Sequence, residues 1–162
     1  MFDIKEVFHI GILVPNIYEA MEEMGESLNL TWTELVENHG QSIWSPENGQ
    51  QSIPLKFVYS CEGPQHLEIL EGSPGSFWDG KENPGVHHLG VWVDDVITET
   101  ERLLALGWNL LGASKSPEEG YGNMAYLTPS SGSIVEIVNS VHKPRFERWW
   151  TGGSFYDNPS AS

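Results

Sequence analysis

Positive charge is the scarcest thing in this sequence. Its 162 residues carry eight Lys and Arg against 23 Asp and Glu, a formal charge of −15. Such a field attracts neither nucleic acid nor an anionic membrane surface, so neither is an expected partner. It also disfavours polyanionic substrates such as coenzyme A thioesters, unless the few cations gather at a pocket. Cysteine is nearly absent. Cys61 stands alone, which excludes an intrachain disulfide and a thiolate zinc site. The N-terminal MFDIKEVFHI lacks a basic region followed by a long apolar one, and no stretch approaches about 18 uninterrupted apolar residues. The expectation is a soluble, cytoplasmic protein.

Large aromatic side chains are plentiful by contrast. Seven Trp, six Phe and five Tyr supply the apolar surface that a 39% hydrophobic composition would otherwise leave short. Val7 to Pro15 alternates as a strand, with Phe8, Ile10, Ile12 and Val14 on one face and His9, Gly11 and Leu13 on the other. Asn16 caps a helix running to about Leu28, and Asn29 ends it. Thr31 to Val36 is β-prone, and Asn38 to Ser52 reads as a long polar loop. Ile53 to Ser60 and His66 to Leu70 read as strands on either side of the turn signal Cys61-Glu62-Gly63-Pro64.

The order then restarts. Val86 to Val93 is a strand, and Asp94-Asp95 start a helix that Gly107 stops. Trp108 to Leu111, Met124 to Thr128 and Ser133 to Asn139 follow as strands, with a polar loop over Ser114 to Gly122. FHIGILVPNIYEAMEEM in the first half lies over HHLGVWVDDVITETERL in the second, and HLEIL lies over SIVEIV. Both halves therefore read βαβββ. The expected division is one unit over 1–162: a first module at about 5–71, a connector at 72–84, a second module at about 85–141 and an aromatic tail at 142–162.

Alternation places His9 and His88 opposite the apolar faces of their strands and His87 on the helix side, as a structural residue. Glu68 shares a face with His66 and Leu70. Glu136 sits between Val135 and Ile137 in an otherwise apolar strand. A carboxylate there is costly unless it is paired or coordinated. Two imidazoles and two carboxylates converging on one concave face form a ligand set for one divalent ion, and it suits Zn, Ni, Co, Mn or Fe(II) better than Ca or Mg. His66 is a further base candidate beside Glu68. Trp44 and Trp92 are candidates for a pocket wall or for core packing, and Gly11 and Gly90 for sites of close approach.

The segments FHIGILV, QHLEIL, GVHHLGVWVDD and YLTPSSGSIVEIVN resemble the vicinal oxygen chelate superfamily of glyoxalases, methylmalonyl-CoA epimerases, extradiol dioxygenases and antibiotic-resistance proteins. The resemblance spans about residues 7–140. It implies an α+β fold, two βαβββ modules whose eight-stranded mixed sheet curves around a metal cleft. It further implies ligands at His9, Glu68, His88 and Glu136, with His88 rather than His87 aligned with His9. The implied activity is a metal-dependent isomerase or lyase, with Glu136 or Glu68 moving a proton on a small carbonyl or hydroxy compound. Binding without turnover, as in drug-sequestering proteins of this scaffold, is the alternative; ring-cleaving dioxygenation is a more distant one. The departures are specific. Epimerases commonly place Gln where Glu68 stands and a carboxylate on the third strand, where this chain has Leu55-Lys56-Phe57. Glyoxalases hold glutathione with arginines, and only Arg102, Arg145 and Arg148 exist here. Extradiol dioxygenases use two His and one Glu. A homodimer, with the cleft inside one chain or shared between two, stays open. Phe146, Trp149, Trp150, Phe155 and Tyr156 need burial, against a sheet, a partner or as a lid. Asn158 to Ser162 are expected to fray.

Overall fold

A computed structural model describes residues 1 and 3–156; the expected frayed end at Asn158 to Ser162 lies outside them. The first half runs β1 (Val7–Leu13), α1 (Ile17–Leu28), β2 (Val36–Ser45), β3 (Gly49–Tyr59) and β4 (His66–Gly72). The second runs β5 (Gly85–Val93), α2 (Val96–Ala105), β6 (Asn109–Ala113), β7 (Met124–Thr128) and β8 (Val135–Asn139), and α3 (Lys143–Trp150) follows. The strands close into a barrel in the order β1-β4-β3-β2-β6-β7-β8-β5. Within each half the first and fourth strands pair in parallel and the others antiparallel. The halves join through antiparallel β1–β5 and through a single Trp44–Ala113 pairing between β2 and β6. This is the α+β, eight-stranded mixed sheet that the sequence implied.

The helices form where their caps and apolar spacing put them. The Asn16 side chain accepts from the Tyr18 and Glu19 amides at the start of α1, and Asp95 accepts from Thr98 at the start of α2. Asn29 ends α1 with φ 53°, a left-handed cap. Each helix covers the outer face of its own half. Ile17 packs with Val14, Val58 and Ile69 under α1, and Val96 and Leu103 with Val91, Leu127 and Ile137 under α2. The inner faces are thereby left to build a cleft.

The expected loop at Asn38 to Ser52 is instead the arm of a hairpin. Its polar residues are paired across the β2–β3 ladder, Ser42 with Ser52 and Trp44 with Gln50, and Gly49 turns the chain at φ 66°. Asn, Gln and Ser score poorly as strand formers in isolation, but the ladder satisfies their backbone. Of the β-prone Thr31 to Val36, Trp32 makes an isolated bridge to Ser60 and the strand begins at Val36.

The aromatic tail closes one end of the barrel. Trp149 is fully buried, with Nε1 donating to the Glu34 carbonyl at 2.9 Å. Trp150 stacks on His66 at 3.8 Å, and Phe146 meets Phe8 and Trp92 edge-on. Truncating a fully buried ring such as Trp149 costs roughly 3–5 kcal/mol, and the partly buried Trp150 and Phe146 add to it, so α3 is an integral part of the barrel. Trp92 is core, stacked on Phe8 at 3.7 Å. No helix among the described residues is long and apolar enough to cross a membrane.

Candidate metal centre

Four side chains from four strands meet inside the barrel. His9 from β1, Glu68 from β4, His88 from β5 and Glu136 from β8 are all buried, and each offers one ligand atom within 4.8 Å of the other three. The two Nε2 atoms lie 2.9 Å apart. Glu68 Oε2 is 3.2 Å from both, and Glu136 Oε2 is 3.1 Å from His9 and 3.4 Å from His88. Ligands held about 2.1 Å from one ion are separated by about 3.0 Å at a right angle and about 3.4 Å at the tetrahedral angle. These five edges, 2.9 to 3.4 Å, lie within or close to that interval. Two carboxylates also balance a divalent charge, which removes the penalty of burying them. Donor chemistry, spacing and charge therefore all fit a divalent ion.

The backbone explains the convergence. On the β1–β5 ladder His9 stands opposite Gly90 and Gly11 opposite His88. A Cβ on Gly90 would overlap the His9 ring, and one on Gly11 would overlap the His88 ring. The two His-x-Gly triplets thus interlock, each glycine making room for the other strand's imidazole.

Each ligand histidine follows a break in register. The ladder slips between Val7 and His9, which leaves Phe8 without a partner, and between Gly11 and Ile12, which leaves His87 without one. A bulge of this kind resets alternation. Phe8, expected on the helix side, therefore turns into the barrel onto Trp92. His87, also expected on the helix side, turns toward Phe77 and Tyr126, and its Nδ1 lies 2.9 Å from Nδ1 of His88.

Electrostatics bind the four ligands together. Burial pulls the imidazoles of His9 and His88 down, but Glu68 and Glu136 outweigh it and raise both, His88 to about 9. Burial pushes the carboxylates up, and the two histidines outweigh it, holding Glu68 and Glu136 below the usual range. Without an ion at neutral pH the site therefore holds a protonated His88 against ionised carboxylates.

Two further residues belong to the site and were missed in the sequence. Tyr59 pairs with Glu68 across β3–β4, and Tyr126 pairs with Glu136 across β7–β8. Burial, reinforced by the carboxylates, raises both phenols well above their ordinary range. The repeat carried the signal: each tyrosine precedes its glutamate by nine or ten residues in the two halves. His66, singled out beside Glu68, stands apart from the ligand group. Its Nδ1 meets the Ser60 carbonyl at 2.7 Å and Trp150 covers its ring.

Glu68, Glu136, Tyr59 and Tyr126 border a cavity of about 440 Å³. Its wall is largely aromatic and aliphatic, with Phe57, Leu70, Val138 and Phe146 among the lining, and Phe155 and Tyr156 of the tail also reach it. A larger groove of about 690 Å³ lies between the β2–β3 hairpin and the connector after β4, away from these ligands.

A duplicated βαβββ barrel with a two-His, two-Glu centre at its seam defines the vicinal oxygen chelate class. The chain belongs to the Glyoxalase/Bleomycin resistance protein/Dioxygenase superfamily, whose family model matches residues 8–127. Solved structures share the fold at low identity. A hypothetical protein, BH1468 from Bacillus halodurans C-125, is 20% identical with a TM-score of 0.60, over 83% of this chain and 93% of that one. Methylmalonyl-CoA epimerase from Streptomyces coelicolor is 19% identical with a TM-score of 0.57, over 83% and 94%. 4-Hydroxymandelate synthase from Streptomyces coelicolor is 14% identical with a TM-score of 0.55, over 84% of this chain and 37% of that one. None of the curated proteins matches the chain.

Proposed function

We propose that this protein is a metal-dependent isomerase or lyase that moves a proton on a carbon next to a carbonyl or hydroxyl group of a small molecule. The observation that carries this reading is the set of four ligand atoms at 2.9–3.4 Å contacts, two of whose residues, Glu68 and Glu136, line a cavity. His9, Glu68, His88 and Glu136 would hold the ion, which supplies Lewis-acid stabilisation of the negative charge that develops on a substrate oxygen.

The remaining work falls to the chain's own groups. Glu136 takes the proton from carbon and returns it, and Glu68 faces it from the other half as the second carboxylate able to do so. Both border the cavity, so substrate reaches them directly. The phenols of Tyr59 and Tyr126 stay protonated at neutral pH and donate hydrogen bonds at the cavity floor. The aromatic wall excludes water from the reacting carbon. His66 is anchored at the start of β4 by the Ser60 carbonyl and the Trp150 ring. The reaction is expected to run in the cytoplasm.

Metal analysis of protein purified without chelator is the first test, and about one equivalent of a transition metal is expected. Less than about 0.2 equivalents, with stability unchanged by EDTA, would overturn the reading. Solvent-deuterium exchange into 2-oxo and 2-hydroxy acids, followed by NMR, gives the second. Exchange should require metal and fall by about 10²-fold or more in Glu136→Gln, with the circular dichroism spectrum retained. Full exchange in that variant removes Glu136 from the mechanism.

A further inference from the structure

With eight Lys and Arg in a chain of net charge −15, the location of each cation is informative. Lys56 is engaged by Glu71 at 3.3 Å, Lys143 by Glu6 at 2.7 Å, and Arg102 lies against Glu99. Arg145 and Lys115 are set apart by their place, since Lys5 and Lys81, which also lack an ion pair among the described residues, do not border the cavity at the ligands. Arg145 and Lys115 both border that 440 Å³ cavity, which exposes Glu68 and Glu136. Among the described residues, neither takes part in an ion pair.

Arg145 is half-buried, and its guanidinium lies over the Phe155 ring at 5.3 Å. Ring contact of this kind orients the planar fork without consuming its hydrogen-bond donors. His142, on the same approach to α3, also lines the cavity. Lys115 comes from the loop after β6, whose backbone is tied by the Lys115 amide donating to the Tyr121 carbonyl at 3.0 Å. The cations thus come from two different segments, the tail and the β6–β7 loop, and meet at one cavity. The only carboxylates lining this cavity, Glu68 and Glu136, are engaged by His9 and His88, so the half-buried guanidinium and the exposed ammonium meet no free counter-charge there. A bound anion would supply one.

From these placements we infer that the cleft takes a small substrate with an oxyanionic group, carboxylate or phosphate, remote from its reacting carbon. Arg145 and Lys115 bind that group, the apolar wall takes the body of the molecule, and its reacting oxygens meet the four-ligand centre. The inference rests on the metal-centre reading above. The planar fork of Arg145 matches a carboxylate or a phosphate in two parallel hydrogen bonds, and Lys115 adds a point charge. Binding energy gained there is remote from the chemistry and positions the reacting carbon against Glu136. A volume of about 440 Å³ limits what the cavity encloses to a compact molecule.

The probe is benzohydroxamate, whose two adjacent oxygens chelate a metal while its ring offers an apolar body. It is compared with its meta and para carboxy and phosphono derivatives by calorimetric titration of the cobalt(II)-loaded protein. At least one anionic derivative should bind tenfold or more tightly than the parent, and the stronger of the carboxy and phosphono series identifies the oxyanion. The gain should disappear in the Arg145→Gln/Lys115→Gln double variant, with the parent titrated alongside as reference. In the wild-type protein the gain should shrink severalfold between 50 and 500 mM NaCl, a readout that does not depend on the variant folding. Metal-dependent binding of the parent with no gain for any anionic derivative overturns this inference alone. A parent probe that binds no better with metal than without it overturns the metal-centre reading itself.

Discussion

The two halves of the barrel present the same ligands and differ one residue earlier. His9 and His88 each follow a bulge, each interlocks with the other's glycine, and each faces a glutamate backed by a tyrosine. The bulge residue is Phe8 in the first half and His87 in the second. The Phe8 ring meets His9 edge-on at 4.4 Å and offers no acceptor, and His9 Nδ1 is buried with no hydrogen-bond partner. His87, also edge-on, places a ring nitrogen 2.9 Å from His88 Nδ1. Duplication has preserved the geometry of the first-contact atoms. The groups behind them, which set tautomer and basicity, have diverged.

Proton competition gives the largest expected effect. His88 is raised from 6.5 to about 9, so an ion binding at neutral pH must displace its proton. Affinity for a divalent ion should rise about tenfold per pH unit between pH 7 and 9, about a hundredfold in all, for one proton displaced. Calorimetric titration against pH checks this. His9 is raised too. A slope near two decades per unit would show that the halves titrate alike, and a slope near one would assign the proton to His88. Stability of the metal-free protein should move the other way. A raised histidine contributes stability that is fully present below pH 6.5 and is lost as pH rises through about 9. The melting temperature without metal should therefore fall over that window, and the gap between loaded and metal-free protein should widen.

The interlocked glycines come next. Gly11→Ala and Gly90→Ala each set a methyl group inside an opposing imidazole, so a ring or a strand must shift. Overpacking of this kind costs about 1–3 kcal/mol, and a displaced ring loses its place among the ligands. Each variant should lose most of its metal and melt several degrees lower. Metal analysis and thermal unfolding without metal separate the two effects. Equal losses support the symmetric reading, and a tolerated Gly11→Ala beside a damaging Gly90→Ala would break it.

How far the sequence disclosed this site depends on what kind of pattern carried each part. His9, Glu68, His88 and Glu136 were legible because two pairs recur at matching places in a repeat. The αβ order was legible from caps such as Asn16 and Asp95, which act within a few residues. The β2–β3 arm was not, because Ser42, Ser52 and Gln50 gain their stability from partners across a ladder. Phe8 and His87 were misplaced for a related reason. Alternation assumes an unbroken register, and a bulge is decided by the pairing of two strands 79 residues apart, as His9 and His88 are. Arg145 and Lys115 have no motif at all, and only the closure of the barrel by α3 brings them to one cavity.

The smallest and most discriminating effect concerns the divergent bulge. Burial first, and then the neighbouring His88, hold His87 down to about 4, so it is neutral at pH 7 and has a ring nitrogen free to accept. With His88 Nε2 turned toward the other ligands, its Nδ1–H donates to that nitrogen, which fixes the tautomer that leaves Nε2 free to bind a cation. His87→Phe reproduces in the second half what Phe8 provides in the first, and metal affinity should fall about tenfold, the lower end of what loss of such a partner costs. Phe8→His is the reciprocal change. It gives the orphaned Nδ1 of His9 an acceptor and should recover part of that loss when combined with His87→Phe. Competitive titration with a chelating dye measures all three proteins. Recovery in the double variant would show that either half can supply the support. An affinity unchanged by His87→Phe would reduce the asymmetry to packing, because the edge-on ring contact alone survives that substitution.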